Sequence, residues 1–86
     1  MDDGKYIIID INGSDVPILF PSFIEHITMR NKFSNCDIIS AGMFSVGVDK
    51  DNEISVSAYG KSVSLNVESR KEDVRIIKRI ITGVTW

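Results

Sequence analysis

The sequence has one histidine, His26, and one cysteine, Cys36, the residue types best suited to proton transfer and nucleophilic attack near neutral pH. A cysteine–histidine catalytic pair also needs a third group that orients the histidine, and a zinc site needs several such ligands at short spacing. The sequence supplies neither arrangement around His26 or Cys36. We therefore expect structural roles for both residues, and we expect no catalytic residue, no metal site, no cofactor and no enzymatic activity.

Two short segments bear a superficial likeness to ligand-binding loops. Residues 60–62 (Gly-Lys-Ser) match the end of a phosphate-binding loop, but the upstream position is Ser55 instead of glycine, and a strand is predicted to follow instead of a helix. Asp49, Asp51 and Glu53 alternate as calcium ligands do, but the glycine and the distal glutamate of an EF-hand are not in place. Both segments are more typical of hairpin turns.

The most unusual pattern is a set of small polar side chains that alternate along three predicted neighbouring strands. Such a surface is either a solvated sheet face or a docking surface that allows the close approach of a partner. Met and Tyr at its border would serve as anchors if the surface docks a partner, since both types are enriched in interfaces. The predicted serine face consists of Met43, Ser45, Ser55, Ser57, Tyr59, Ser62 and Ser64.

The net charge of −2 hides an asymmetry along the chain. Residues 1–69 carry five bases and ten acids, a net −5, whereas residues 70–86 carry five bases and two acids, a net +3. The bases Lys71, Arg75, Lys78 and Arg79 lie on a predicted helix, either as a solvated face or as a docking patch for an anion or an acidic partner. Overall acidity counts against free-standing nucleic-acid binding.

Length and composition favour one domain spanning residues 1–86, with the 43% hydrophobic and 26% charged residues of an ordinary soluble protein. A single cysteine cannot form an internal disulfide, which favours a reducing compartment. No apolar run approaches the roughly 20 residues that span a membrane. The segment MDDGKY lacks the basic start of a signal peptide. We expect a cytoplasmic protein that does not bind membranes.

Residues 5–20 predict a first hairpin around Asn12-Gly13, the strongest short hairpin signal. A two-residue loop pairs Ile9 with Val16, and a four-residue loop pairs Ile9 with Ile18. We prefer the four-residue loop because it matches more apolar pairs. Pro17 lacks an N–H and predicts an edge strand, or a donor position that faces solvent.

Residues 22–30 and 70–82 predict helices, each starting with a capping box, Ser22 with Glu25 and Ser69 with Glu72. The apolar stripe of the first helix would consist of Phe23, Ile24 and Ile27. After that helix, Phe33 would fold back on the core. The second helix would end at Gly83, ahead of a short tail, Val84-Thr85-Trp86.

Residues 37–68 predict a three-stranded meander. One register pairs Val48 with Ile54, Val46 with Val56 and Phe44 with Ala58. A two-residue turn at Gly60-Lys61 pairs Ala58 with Val63, Val56 with Leu65 and Ile54 with Val67. Ile38 would share the face of Phe44, and Gly42 would mark a bulge or a close backbone contact.

The predicted fold is therefore α+β, in the order β-β-α-β-β-β-α, with an antiparallel five-stranded sheet and both helices packed on one face. That face would carry Ile7, Ile9, Phe44, Val46, Val56 and Leu65. Four further apolar residues fall off this stripe: Ile8, Leu19, Ile39 and Met43. Either the second face is also covered, or these residues belong to an interface, which would favour a homodimer.

With no visible active site, the sequence predicts a non-enzymatic binding protein that acts through contacts with another protein. A phage- or mobile-element-encoded inhibitor of a host defence complex is one form of such a protein, an expectation that rests on how common these proteins are and on no particular residue. The alternative is a nucleic-acid-associated module that uses the basic face of the C-terminal helix, whose contacts would fall mainly on phosphates.

Overall fold

Six strands and two helices make up residues 3–83, the part of the chain described by the structure, which is a computed structural model. In chain order they are β1 (Gly4–Ile11), β2 (Ser14–Phe20), α1 (His26–Arg30) followed by a 3-10 turn (Asn31–Phe33), β3 (Asp37–Val48), β4 (Ile54–Tyr59), β5 (Lys61–Ser62), β6 (Val67–Glu68) and α2 (Asp73–Thr82). The predicted tail, Val84-Thr85-Trp86, lies outside the described residues.

An antiparallel sheet in the order β2-β1-β3-β4 carries the fold, and β5 and β6 form a separate two-stranded hairpin. The predicted α+β class and the antiparallel pairing are confirmed, but the single five-stranded sheet is wrong. Strand β5 pairs with β6 through Ser62 and Val67 instead of pairing with β4. Among residues 3–83, the outer edge of β4 is therefore the end of the sheet.

The first hairpin has the two-residue loop, with Ile11 opposite Ser14 and Ile9 opposite Val16, so the preferred four-residue loop is wrong. Asn12 and Gly13 have φ of 53° and 86°. Two positive φ angles are required by a type I′ turn, whose twist matches that of the strands it joins. Asparagine and glycine adopt such angles at low cost, and this local preference outweighs the extra apolar pair of the longer loop.

Strand β2 is an edge strand, as Pro17 predicted. In a type I′ hairpin the residues that flank the turn form a hydrogen-bonded pair, and hydrogen-bonded and non-hydrogen-bonded pairs alternate from there. Pro17 lies opposite Ile8, three pairs from the turn-flanking pair, and thus at a non-hydrogen-bonded position. An N–H at this position would point away from β1, towards the outer edge of the sheet. Proline therefore removes no hydrogen bond between β1 and β2.

The predicted register of β3 with β4 is confirmed: Val48 lies opposite Ile54, Val46 opposite Val56 and Phe44 opposite Ala58. The predicted pairs across Gly60-Lys61 are wrong, because the chain leaves the sheet at Gly60, where φ is 80°. The departure has a physical reason. Leu65 and Val67 pack against the apolar cluster on one face of the sheet, which removes part of their apolar surface from water.

Both faces of the sheet are covered, and the prediction that the two helices share one face is wrong. Tyr6 and Ile8 of β1 point to one face and Ile7 and Ile9 to the other, and all four are fully buried. Helix α2 covers the first face with Ile76, Ile77 and Ile81. The second face is covered by Ile24 and Met29 around α1, Phe33 of the 3-10 turn, and Leu65 and Val67 of the β5–β6 hairpin.

The predicted single stripe is accordingly divided between the faces: Ile7, Ile9 and Leu65 lie on one, and Phe44, Val46 and Val56 on the other. An unbroken apolar run is typical of a strand buried on both sides, and residues 7–9 of β1 have that pattern. The open alternative, that a second covering layer buries Ile8 and Leu19, is thus the correct one. These residues no longer argue for a homodimer.

A bulge in β3 changes which side chains of that strand face which layer. Ile8 lies opposite Ser40 but Ile9 lies opposite Ile38, so Ile39 is the extra residue. Ile39 therefore packs beneath α2, and Ile38 faces the other layer, so the prediction that Ile38 shares the face of Phe44 is wrong. The close backbone contact predicted for Gly42 is confirmed, because a Cβ there would overlap the carbonyl oxygen of Tyr59.

Both helices begin three to four residues later than predicted, and in the described part of the chain neither has a side-chain hydrogen bond at its N-cap. A turn precedes α1, in which the N–H of Ile24 donates to the carbonyl of Pro21. Phe23 is consequently 83% exposed instead of facing the core. The end of α2 is as predicted, since Gly83 has φ of 70° and its N–H donates to the carbonyl of Arg79.

A buried carboxylate fixes α2 on the sheet. Asp73, in the first turn of α2, has no exposed surface and accepts a hydrogen bond of 2.7 Å from the hydroxyl of Tyr6. The backbone N–H and the Nε of Arg70 each donate to it at 2.9 Å. Arg70 also reaches Asp15 of β2, at 3.3 Å. One carboxylate thus joins α2 to the central strand β1, and its arginine partner extends the contact to β2.

This network shifts the pKa values of two of its members. Burial raises the pKa of the Tyr6 phenol well above its ordinary value, and the hydrogen bond and the charge of Asp73 raise it further. Burial alone would lower the pKa of the Arg70 guanidinium, but the attraction of Asp73 outweighs burial and the net direction is upward. Tyr6 therefore stays protonated and Arg70 stays charged throughout the physiological pH range.

The two glycines of β3 offer a matched test of the close contact at Gly42. Gly42→Ala should lower the free energy of unfolding by about 1–3 kcal/mol, because the new Cβ meets the backbone of Tyr59, which cannot move without breaking the β3–β4 ladder. Gly47→Ala meets nothing within 4 Å and should be neutral or stabilising by about 0.5 kcal/mol. Urea unfolding measures both, and equal effects would contradict the close contact.

The two acids that contact Arg70 should differ in their contribution to stability. Asp73→Ala leaves the buried end of Arg70 without its partner and should cost about 3–5 kcal/mol. Asp15→Ala removes a half-exposed partner of the same arginine and should cost at most about 1 kcal/mol. Urea unfolding of the two variants gives the comparison. A cost for Asp15→Ala as large as that of Asp73→Ala would refute the central role of Asp73.

The raised pKa of Tyr6 predicts a loss of stability in alkali. The phenol ionises near pH 10 in the unfolded chain but only at higher pH in the fold, so its contribution is fully present below about pH 10 and is lost as the pH rises towards the folded value. The free energy of unfolding should therefore fall above about pH 10. Tyr6→Phe should show a shallower fall, and Tyr59→Phe, which changes an exposed phenol, should keep the steep one.

Candidate protein-binding surface

The outer half of one sheet face carries small polar side chains that the covering layer leaves exposed. Ser45 lies opposite Ser57, Gly47 opposite Ser55 and Met43 opposite Tyr59. Ser55, Ser57 and Tyr59 are exposed, and Met43 and Ser45 are half-buried. We call Met43, Ser45, Ser55, Ser57 and Tyr59 the β3–β4 patch. Five of the seven residues of the predicted serine face are therefore brought together on two paired strands.

The other two residues of that set, Ser62 and Ser64, do not lie on the sheet, because β5 has left it. The side chain of Ser62 is buried in the β5–β6 hairpin, where its Oγ accepts a hydrogen bond from the N–H of Leu65 at 3.3 Å and lies 3.3 Å from the Oγ of Ser64. Ser62 also lines an open depression of about 390 Å³ inside the hairpin. Ser62 therefore holds the turn of the hairpin, apart from the five residues of the predicted serine face that lie on β3 and β4.

Strand β4 separates an apolar side from a polar side. Val56 and Ala58 pack beneath α2, while Ser55, Ser57 and Tyr59 point to the opposite side. The position of α2, fixed by Asp73, thus determines which side of β4 is left for the patch. Tyr59, 39% exposed, and Met43 are the large side chains of the patch and provide the area for an apolar contact.

The outer edge of β4 exposes backbone groups. The N–H of Asp49 donates to the carbonyl of Glu53 at 2.9 Å, which makes this the hydrogen-bonded pair that closes the β3–β4 hairpin. By alternation, the N–H and C=O groups of Ser55, Ser57 and Tyr59 point to β3, and those of Ile54, Val56 and Ala58 point outward. Residues 54–59 contain no charged residue and no proline.

Only two of the four predicted anion-docking residues line the groove between β2 and α2. Arg75 and Arg79 line a groove of about 470 Å³ between β2 and α2, together with apolar side chains and the acidic Asp15. Lys71 and Lys78 lie outside the lining of this groove. Arg79 is half-buried, and its Nε has no contact with solvent. An acid inside the groove and a partly buried arginine make this a poor site for a phosphate chain.

His26 and Cys36 both lie in the covering layer of the second face. Nε2 of His26 is 2.9 Å from the carbonyl oxygen of Gly42, and its ring meets that of Phe20 edge to face at 5.6 Å. Cys36 is half-buried against the apolar cluster of Ile7, Ile9 and Phe20. In the part of the chain that the structure describes, no group of three or more His, Cys, Asp and Glu side chains is placed to hold a metal ion.

Comparison with known proteins supplies no relative: no family model, no curated protein and no solved structure matches the chain. Among the described residues, no helix has the length and apolar character needed to cross a membrane. The exposed surface of the chain is therefore the basis on which its function is inferred.

The free edge of β4 is the feature that the sequence pattern concealed, because the alternation of residues 61–67 predicts a strand paired with β4. One signal against that strand is Asn66, which would fall within it. Asparagine is disfavoured in strands and tolerates positive φ, and Asn66 has φ of 57° in the turn between β5 and β6.

Proposed function

We propose that this chain is a non-enzymatic binding protein that contacts another protein through the β3–β4 patch. One observation carries the proposal: the layer that covers the second face of the sheet stops short of β4 and leaves the patch exposed beside a free sheet edge. Both faces of the sheet are otherwise covered, so this is where the partner's surface can approach the strands.

The chemistry of the patch suits a protein partner. Serine side chains are short and carry both a donor and an acceptor, so they let a partner's backbone approach and form hydrogen bonds with it. Tyr59 and Met43 offer the apolar contact area that serines lack, and aromatic side chains and methionine are enriched in interfaces. We place this interaction in the cytoplasm, since the fold holds its one cysteine, half-buried, as a free thiol.

The nucleic-acid alternative depends on the basic residues of α2. Only Lys71 and Arg75 are exposed among the four predicted docking residues, and Arg75 shares its groove with Asp15. Phosphate binding draws its affinity from several unopposed cations, each of which releases counterions. We therefore keep this alternative as an outcome of the experiment below.

Affinity capture with three baits tests the proposal. The wild-type chain is compared with a patch variant, Ser45→Arg plus Tyr59→Ala, and with a helix variant, Lys71→Glu plus Arg75→Glu, in lysate of the source cell with and without nuclease. We expect the wild-type and helix baits to retain a protein whose recovered amount falls at least about tenfold with the patch bait. The patch variant removes one interface anchor and introduces a bulky charge, which together should cost about 2 kcal/mol or more of binding free energy.

Circular dichroism and urea unfolding serve as the control that each bait is folded, since all four altered side chains are exposed or half-buried. Retention of every specific protein by the patch bait would refute the proposal. Loss confined to the helix bait and abolished by nuclease would establish the nucleic-acid alternative instead.

A further inference from the structure

The turn between β1 and β2 places an asparagine directly before a glycine, Asn12-Gly13. Asparagine is chemically labile, because the backbone nitrogen of the following residue can attack its side-chain carbonyl carbon. Glycine has no Cβ and leaves that nitrogen unshielded. Both residues are exposed, and a Cβ added at Gly13 would meet nothing within 4 Å, so solvent has open access to the turn.

We propose that Asn12 is a site of spontaneous deamidation and that this modification opens the β1–β2 hairpin at its turn. The inference concerns a covalent change of the chain, whereas the proposed function concerns binding at the β3–β4 patch. It therefore goes beyond that function and does not depend on it.

The reaction needs water and no other reactant. The nitrogen of Gly13, after losing its proton to solvent, bonds to Cγ of Asn12. The bond between Cγ and Nδ2 then breaks, and ammonia leaves with a proton taken from solvent. Water opens the resulting succinimide ring at either of its two carbonyl groups. One opening leaves aspartate at position 12, and the other leaves isoaspartate, in which the main chain runs through the side-chain carbonyl carbon.

The attacking nitrogen is free in the hairpin turn. The ladder of a two-residue turn closes through the residues that flank it, here Ile11 and Ser14. Within residues 3–83, the N–H of Gly13 donates to no backbone or side-chain oxygen. The nitrogen therefore gives up no hydrogen bond within the fold when it attacks.

A second asparagine with a left-handed backbone lacks this property. Asn52 has φ of 65°, close to the 53° of Asn12, and both lie in exposed turns. The N–H of Glu53, the residue after Asn52, donates to Oδ1 of Asp49 at 3.0 Å. That hydrogen bond must break before the nitrogen of Glu53 can attack, so the fold protects Asn52.

The other three asparagines are also held back by their surroundings. The N–H of Cys36, which follows Asn35, donates to a carbonyl of the 3-10 turn at 3.0 Å. Asn66 precedes Val67 of β6, whose branched side chain shields its backbone nitrogen. Asn31 begins the 3-10 turn and is followed by a residue with a long side chain. The structure thus assigns the reaction to Asn12.

The turn must leave its type I′ conformation before the side chain of Asn12 can face the nitrogen of Gly13. Only the exposed pair that flanks the turn holds this end of the hairpin closed, and the ends of elements open at a small free-energy cost. The next pair sets Asp10 opposite Asp15, and two like charges across a hairpin favour its opening.

Either product weakens the hairpin. Isoaspartate adds an atom to the main chain, so a type I′ turn no longer fits between the two strands. Both products add a carboxylate next to the facing acids Asp10 and Asp15. Because Arg70 contacts β2 through Asp15, opening of the turn also loosens the contact between this strand and the start of α2.

Peptide mapping by mass spectrometry, on purified chain incubated in mildly alkaline buffer, measures the reaction at each asparagine. Asn12 should be modified at least about tenfold faster than any other asparagine of the folded chain, since a modest difference in the barrier gives a tenfold difference in rate. A faster reaction at another asparagine would overturn the inference, as would an Asn12 that stays intact as long as the others.

A second asparagine–glycine pair in the same chain separates structure from sequence. Glu53→Gly creates this pair at Asn52 and keeps the N–H that donates to Asp49. In the folded variant Asn52 should react at least about tenfold more slowly than Asn12, and in urea that unfolds the chain the two rates should become similar. Equal rates in the folded variant would overturn the selection of Asn12 by its free neighbouring N–H.

Urea unfolding of the separated products tests the effect on the hairpin. Asn12→Asp reproduces the added charge without altering the main chain. The isoaspartyl form should therefore unfold at a lower urea concentration than Asn12→Asp, and Asn12→Asp at a lower concentration than the wild type. An isoaspartyl form as stable as the wild type would show that the modification leaves the turn closed, contrary to the inference.

Discussion

The buried carboxylate of Asp73 is the constraint on which the arrangement of layers depends. A charge without exposed surface is tolerated only when donors surround it, and here the hydroxyl of Tyr6 and three N–H groups of Arg70 do so. These donors come from β1, an inner strand of the sheet, and from Arg70, three residues before the first residue of the helix. They fix the start of α2 over the middle of the sheet, and the apolar side chains that follow along α2 then cover the inner side of β4.

Local features of this fold are readable from sequence because short-range chemistry decides them. Asn12-Gly13 selects a two-residue turn, Gly83 ends a helix, and the alternation in β3 and β4 admits one register. The position of α2 is different in kind, because it depends on Tyr6 and Asp73, which are 67 residues apart in the chain. Neither residue type is unusual at its own position, since tyrosine is common in strands and acidic residues are common in the first turn of a helix. The sequence therefore does not indicate that these two side chains meet.

The errors in the predicted core have one physical origin. The prediction assigned a single buried face to the sheet, and side chains of the wrong parity were left over, among them Ile8 and Ile39. The bulge turns Ile39 towards α2, and α2 covers both side chains. The apolar cluster on the opposite face, which contains Ile7 and Ile9, attracts Leu65 and Val67 away from β4. The candidate surface was thus predictable on β3 and β4, because a short turn joins these two strands and sets their register. It was unpredictable at Ser62, because the residues that follow pack on an apolar cluster formed by distant parts of the chain.

Once both faces of a small sheet are covered, its edges are the main places where strand backbone meets solvent. Strand β2 has Pro17 at an outward position, which removes a donor without weakening the hairpin. Strand β4 has the plain alternation of a strand made for pairing, although its expected neighbour, β5, lies elsewhere. An unguarded edge of this kind tends to cause aggregation unless a specific contact occupies it.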